Sequence, residues 1–226
     1  MNLQDQIEEK LRLNSSTGRA KFDSKLVKTR YPIQGVKMAF LEAYAKTLAS
    51  QEVSVYDIPL NTHEEIMLAG FVIAYQDIDE LCRLEQFEYI LPYIDNWSTC
   101  DSIVPRLKKL KNQKDYFVNL LSSQDPFKVR VGIIFLMKFY LKQDLIDTLN
   151  YIRSIVSDDY YVKMAIAWML AEAMVYNFDY TLGFLNGLKD KFVINKSIQK
   201  ALESFRITEV QKLVLKQFKT SQRIKV

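Results

Sequence analysis

The sequence predicts an all-α fold, an α-solenoid of stacked antiparallel helix pairs with a concave basic face. Three observations predict it. Apolar residues recur at helical spacing along most of the chain. Glycine and proline are scarce, at 6 and 5 of 226 residues, whereas sheets need many turns built on them. A motif of cap, aromatic residue, basic residue and long apolar helix recurs after 33 positions, from Asp125 to Asp158. The 49% of apolar residues is enough for a full-sized core.

The elements follow in order. Tyr31 to Lys37 reads as a turn into a helix over 38–49, with Gly35 supplying backbone freedom. Glu52 to Pro59 reads as a connecting loop. Thr62 and Glu65 match a capping box, in which each side chain satisfies an orphan amide of the other, so a helix runs from Thr62 to Tyr75. Asp125-Pro126 is an N-cap followed by proline at the first helical position, opening Phe127 to Leu141. Asp158-Asp159 opens Tyr160 to Tyr176, Asn195 opens Lys196 to Phe205, and Thr208 with Gln211 caps Val210 to Phe218. Second helices fall near Ile78–Tyr89, Asp115–Ser122, Asp144–Val156 and Tyr180–Lys189.

In the repeat, Asp125-Pro126-Phe127 aligns with Asp158-Asp159-Tyr160, Arg130 with Lys163, and Phe135 with Trp168; a weaker copy begins near Asn195. One helix pair cannot bury its apolar face alone, and stacking does. Five to six HEAT-like pairs follow, in a single domain over residues 1–226. No stretch rich in Ser, Gly or Pro marks a boundary. In helix 160–176, Val162, Ala165, Ile166, Met169, Leu170 and Ala173 form one apolar face. Tyr161, Met164, Trp168, Ala171 and Val175 form a second stripe. Such a helix is buried all round or exposes one stripe in a cleft.

Several function classes are excluded. No GxGxxG or GxxxxGK[ST] occurs, so no nucleotide cofactor is expected. One histidine and two cysteines, without a CxxC, are too few for a His/Cys metal site, and no metal or other cofactor is expected. The free thiols suit a reducing cytoplasm. Residues 1–20 are polar, without a signal-peptide core, and no apolar run is long enough to span a membrane. The expected location is therefore cytoplasmic, on the nucleoid if the source is prokaryotic. Net charge is +4, which permits an anionic partner.

The segment Asp95 to Ser102 stands out. Trp97 and Asp101 are four apart and share a helical face, with Pro105 ending the helix. An indole beside a carboxylate serves a cationic ligand; equally, the pair is a packing indole and a solvated aspartate. Arg106, Lys108, Lys109, Lys111 and Lys114 put five cations in nine residues, a patch able to neutralise phosphates or an ordinary solvated face. Lys21, Lys25, Lys28 and Arg30 form a similar run, with Lys37 beyond Gly35. His63 follows a cap and is expected to be exposed; Glu64 and Glu65 suit the positive helix end.

These segments, over roughly residues 20 to 206, resemble the DNA alkylation repair (AlkD-like) family of HEAT-like DNA glycosylases. Phe22 to Leu26 and Ile33 to Lys37 are similar to its approach to a GVR-type turn. Asn96-Trp97 with Asp101-Ser102 resembles W-x-x-x-D-S, Val129-Arg130-Val131 its arginine-bearing repeat, and Lys163 to Trp168 its K-x-A-I-x-W segment. The resemblance implies excision of alkylated purines, such as 3-methyladenine and 7-methylguanine, from double-stranded DNA without a metal and without flipping the base into a pocket. It implies Asp101, Trp97 and Trp168 as catalytic residues, the indoles at the lesion sugar and the carboxylate against an oxocarbenium-like charge. Arg130, Lys37, Arg106, Lys108, Lys109 and Lys163 are the expected DNA contacts, and a monomer is expected. The chain departs from the pattern at Ala171, where the family has arginine, and at Met38, Ala39, Phe40 and Glu42, where proline and then arginine usually follow the turn. Two alternatives stay open: a non-catalytic HEAT-repeat protein that recognises DNA structure or damage, and a helical-repeat scaffold for another protein.

Overall fold

The computed structural model describes residues 2–224, with side chains to residue 219. Among the described residues there are thirteen α-helices and no strand. The all-α class of stacked helix pairs is the one observed. No helix among them is long and apolar enough to cross a membrane. The helices gather into two compact units, Met1–Lys114 and Asp115–Val226. The change-over has no linker composition.

The first unit holds α1 (Leu3–Leu13), α2 (Thr17–Leu26), α3 (Met38–Ser50), α4 (His63–Tyr75), α5 (Glu80–Ile90) and α6 (Trp97–Ile103). The capping box of α4 forms as its sequence predicts: the Thr62 hydroxyl accepts the Glu65 amide and Glu65 accepts the Thr62 amide. All residues of α4 from His63 to Ala74 are buried, because α3, α5 and α6 pack around it. Gly70 lets α6 approach, since an added Cβ would lie 2.5 Å from Ile103. The fully buried Arg83 ties off the end of α4, donating to Ile73 O within the helix and to Gln76 O at 2.8 Å and Ile78 O at 3.0 Å just beyond it. Helices α1 and α2 fall where no helix was predicted. In α1 a capping box of Asn2 and Asp5 starts the helix, and Ile7 and Leu11 anchor it.

The second unit holds most of α7 (Lys114–Asn119), then α8 (Pro126–Phe139), α9 (Leu145–Arg153), α10 (Tyr160–Tyr176), α11 (Phe178–Asn186), α12 (Lys191–Glu203) and α13 (Glu209–Ile224). Helix α10 packs between α8 and α12, with α9 and α11 also against it. This is the stacking by which repeated helix pairs bury a shared core. Three aspartates set the repeat. Asp125, Asp159 and Asp190 each accept two backbone amides and start α8, α10 and α12. The expected cap at Asn195 is therefore corrected: the helix begins five residues earlier, at Lys191, and Asn195 lies inside it, donating to Lys191 O. The caps also put Asp125 opposite Asp159 rather than Asp158, so Arg130 and Lys163 differ by one position in helical register.

Candidate nucleic-acid interface

In the first unit, Trp97 is the first residue of α6, capped by Asn96, whose Oδ1 accepts the Thr99 amide at 3.0 Å. The cap is buried and interlocked. Asn96 donates to Asp95 Oδ1 at 2.9 Å. Asp95 also accepts the Thr29 hydroxyl at 2.7 Å and the Arg30 amide at 2.8 Å. The segment after α2 is thereby clamped to the start of α6, and the Trp97 indole N–H donates to Leu26 O at 3.2 Å. Trp97 and Asp101 are both half-buried and lie one turn apart on α6.

Behind Trp97 lies a cavity of about 100 Å³, lined by Met38, Leu41, His63, Glu64 and Met67 among others. His63 is only 4% exposed, which corrects the expectation of an exposed residue. A first-turn position does not imply solvent when another segment folds over it. Burial pushes the imidazole pKa down, against the opposing pull of Glu64, Asp95 and Asp23. Glu64 does more than favour a helix end. Its carboxylate accepts the amides of Gln34 at 2.9 Å, Gly35 at 2.7 Å and Val36 at 3.3 Å. Gly35, at φ +77°, makes this turn, and a Cβ there would lie 2.4 Å from Ala20 N and Ser16 O.

The basic residues of this unit divide. Arg106 donates to Glu42 at 2.8 Å and to Ser102 O at 2.6 Å, and lies over the Phe71 ring at 4.4 Å. Glu42 also accepts the Tyr75 hydroxyl at 2.5 Å. The Tyr75 bond first and the Arg106 bond second hold its carboxyl at a pKa of about 2. Lys109 donates to Gln76 O at 2.9 Å and lies 3.6 Å from Asp77. Lys37 and Lys108 are exposed, with no carboxylate partner among the described residues.

In the second unit, α10 buries Val162, Ala165, Ile166, Met169, Leu170 and Ala173, as its first stripe predicts. The second stripe is part-exposed: Tyr161, Met164, Trp168 and Val175 keep some surface, while Ala171 is buried. Arg130 is 5% exposed, and its guanidinium donates to Tyr161 O at 2.6 Å. Lys163 sits between Asp158 at 2.9 Å and Asp190 at 3.0 Å; the hydrogen bonds it donates to those carboxylates raise its pKa. No three His, Cys, Asp or Glu side chains are grouped as metal ligands among the described residues.

Sequence reasoning names Glu42, Asp95 and Glu64 but misses their roles in organising the cations and the turn. Only for Asp95, next to the Asn96 cap, was a local signal present.

Helix pairs stacked on Asp-capped repeats define a helical-repeat protein. A family model described as DNA alkylation repair enzyme matches residues 7–205, and the chain belongs to that family. The family places the protein in DNA repair. No curated protein matches the sequence.

Proposed function

We propose that the protein is a DNA glycosylase that excises cationic N-alkylated purines from duplex DNA, without metal or nucleotide cofactor. The observation that carries the reading is Trp97 and Asp101, one turn apart on α6, with the indole fixed to Leu26 O. An alkylated purine is already cationic. Its C1′–N bond breaks with the electron pair leaving on the base, which departs neutral. Positive charge then grows on the sugar. A fixed carboxylate stabilises that charge in place, and by analogy with single-group deletions at other active sites it contributes roughly 3–4 kcal/mol. Water adds to C1′ and its proton leaves to Asp101 or solvent. Trp97 and Trp168 pack on sugar and backbone.

Lys37 and Lys108 are free to meet phosphates. Arg106, Lys109 and Lys163 border the DNA but stay with their carboxylates, and Arg130 contacts the backbone with the little surface it keeps. Residues 1–226 serve as one repair domain, as a monomer on cytoplasmic or nucleoid DNA. The test is single-turnover release of 7-methylguanine from duplex DNA. Asp101→Asn should slow it by about 100-fold or more. Wild-type release no faster than the spontaneous rate would end the enzyme reading for this substrate.

A second reading is a non-catalytic protein that recognises DNA structure or damage. Ala171 favours it: the position of the family arginine holds a buried methyl group. It requires salt-sensitive DNA binding that survives Asp101→Asn, with no base released.

A further inference from the structure

Helix α2 has no buried residue, yet it is tied to the candidate site, since its last carbonyl, Leu26 O, receives the Trp97 indole N–H. Residues 17–30 carry Arg19, Lys21, Lys25, Lys28 and Arg30 against Asp23 alone, a net +4 that equals the charge of the whole chain. Arg19 pairs with Asp23 at 3.4 Å, and Arg30 lies 3.9 Å from Asp95. Lys21, Lys25 and Lys28 are exposed and have no carboxylate partner among the described residues.

Beside this charge runs an apolar row. Phe22 is 62% exposed and Leu26 is 53% exposed. Residues four apart on a helix stand one above the other, so Lys21/Lys25 and Phe22/Leu26 form two adjacent rows, both facing solvent. Apolar side chains that sit side by side with a rim of charge around them are the pattern of an interaction site. The occupant must accept cations at the spacing of a helical turn and apolar contact right beside them. A membrane-surface helix needs a broad apolar face, and two residues do not make one. A DNA duplex offers phosphates flanking a groove of sugars and base edges, where architectural proteins insert apolar wedges.

We propose that α2 is a DNA-docking helix: Lys21, Lys25 and Lys28 neutralise phosphates, and Phe22 with Leu26 wedges into a base step beside Trp97. The inference rests on the DNA-repair reading but not on base release. The wedge makes unstacking part of binding and hands the strain to the segment that holds the Trp97 indole.

The experiment titrates the full chain against a duplex carrying 2-aminopurine beside an abasic analogue, at several salt concentrations. Wild type should raise the 2-aminopurine fluorescence. Phe22→Ala should abolish the rise and weaken binding roughly tenfold, on the scale of one lost aromatic–base contact, with an unchanged salt slope and melting temperature. Lys21→Gln/Lys25→Gln/Lys28→Gln should cut the slope of log K against log salt by about 2–3, near 0.9 per phosphate. Unstacking by Phe22→Ala equal to wild type, or an unchanged slope in the triple variant, would overturn the proposal while leaving DNA binding intact. A Phe22→Ala effect on self-association or on binding to anionic vesicles, in place of DNA, would overturn it too. Failure of wild type to bind duplex DNA would sink both this inference and the repair reading. Normal docking without base release would refute the glycosylase alone.

Discussion

Replacing Glu42 by Gln separates charge that holds the fold from charge available to DNA. The Glu42 carboxyl is lowered from 4.5 to about 2 by the Tyr75 hydroxyl and the Arg106 guanidinium. At about 1.4 kcal/mol per pKa unit, that shift corresponds to roughly 3 kcal/mol. The Glu42 side chain is 30% exposed, so solvent screening reduces the figure to about 1–2 kcal/mol. The sign follows from the depressed folded pKa. The unfolded chain takes up a proton at 4.5 while the folded chain resists until about 2. The stabilisation is therefore complete above 4.5 and is lost as pH falls toward 2. Glu42→Gln keeps the shape and an acceptor for Tyr75 but removes the charge. Urea unfolding should show the variant about 1–2 kcal/mol less stable at pH 7, with more than half of that difference gone at about pH 3. The released Arg106 should steepen the salt slope of DNA binding by about 0.9, one phosphate contact. A stability difference of equal size at both pH values would refute the electrostatic account and leave only a packing role for the pair.

The remaining predictions concern the turn and the buried imidazole. Gly35→Ala should cost about 3 kcal/mol or more in urea unfolding, because φ +77° and the 2.4 Å approach to α2 leave no room for a Cβ; a neutral result would mean that the turn re-forms without its Glu64 bonds. His63→Gln should flatten the stability profile below pH 6.5. The unfolded imidazole protonates at its ordinary 6.5 while burial keeps the folded one neutral, so wild-type stability is present above 6.5 and declines as pH falls. Parallel profiles for the two proteins would place His63 in contact with solvent.

Much of the fold was legible because it rests on local signals. Thr62 and Glu65, Asp125-Pro126 and the Asp159 cap act within a few residues, and the helices they start were predicted within about two residues. Helix α12 was mis-started because Asn195 resembles a cap, whereas Asp190 is the side chain that takes two free amides. Helix α1 was missed because it buries only Ile7 and Leu11, too sparse a pattern to read as an apolar face.

Charge was least legible, because a cation's availability depends on residues far away in sequence. Arg106 meets Glu42 across 64 positions, and Lys163 meets Asp190 on the next capped helix. The dense run from Arg106 therefore overstates the free charge: Arg106 and Lys109 are engaged, while Lys108 stays unpaired. The sparser run Lys21, Lys25 and Lys28 keeps its charge exposed, since Asp23, the acid within α2, is occupied by Arg19 and the neighbouring Asp95 by Thr29 and Arg30. Phosphate affinity scales with cations that release counterions, not with cations counted along a sequence. It follows that α2, rather than the longer basic run, should set the salt dependence of DNA binding by the first unit.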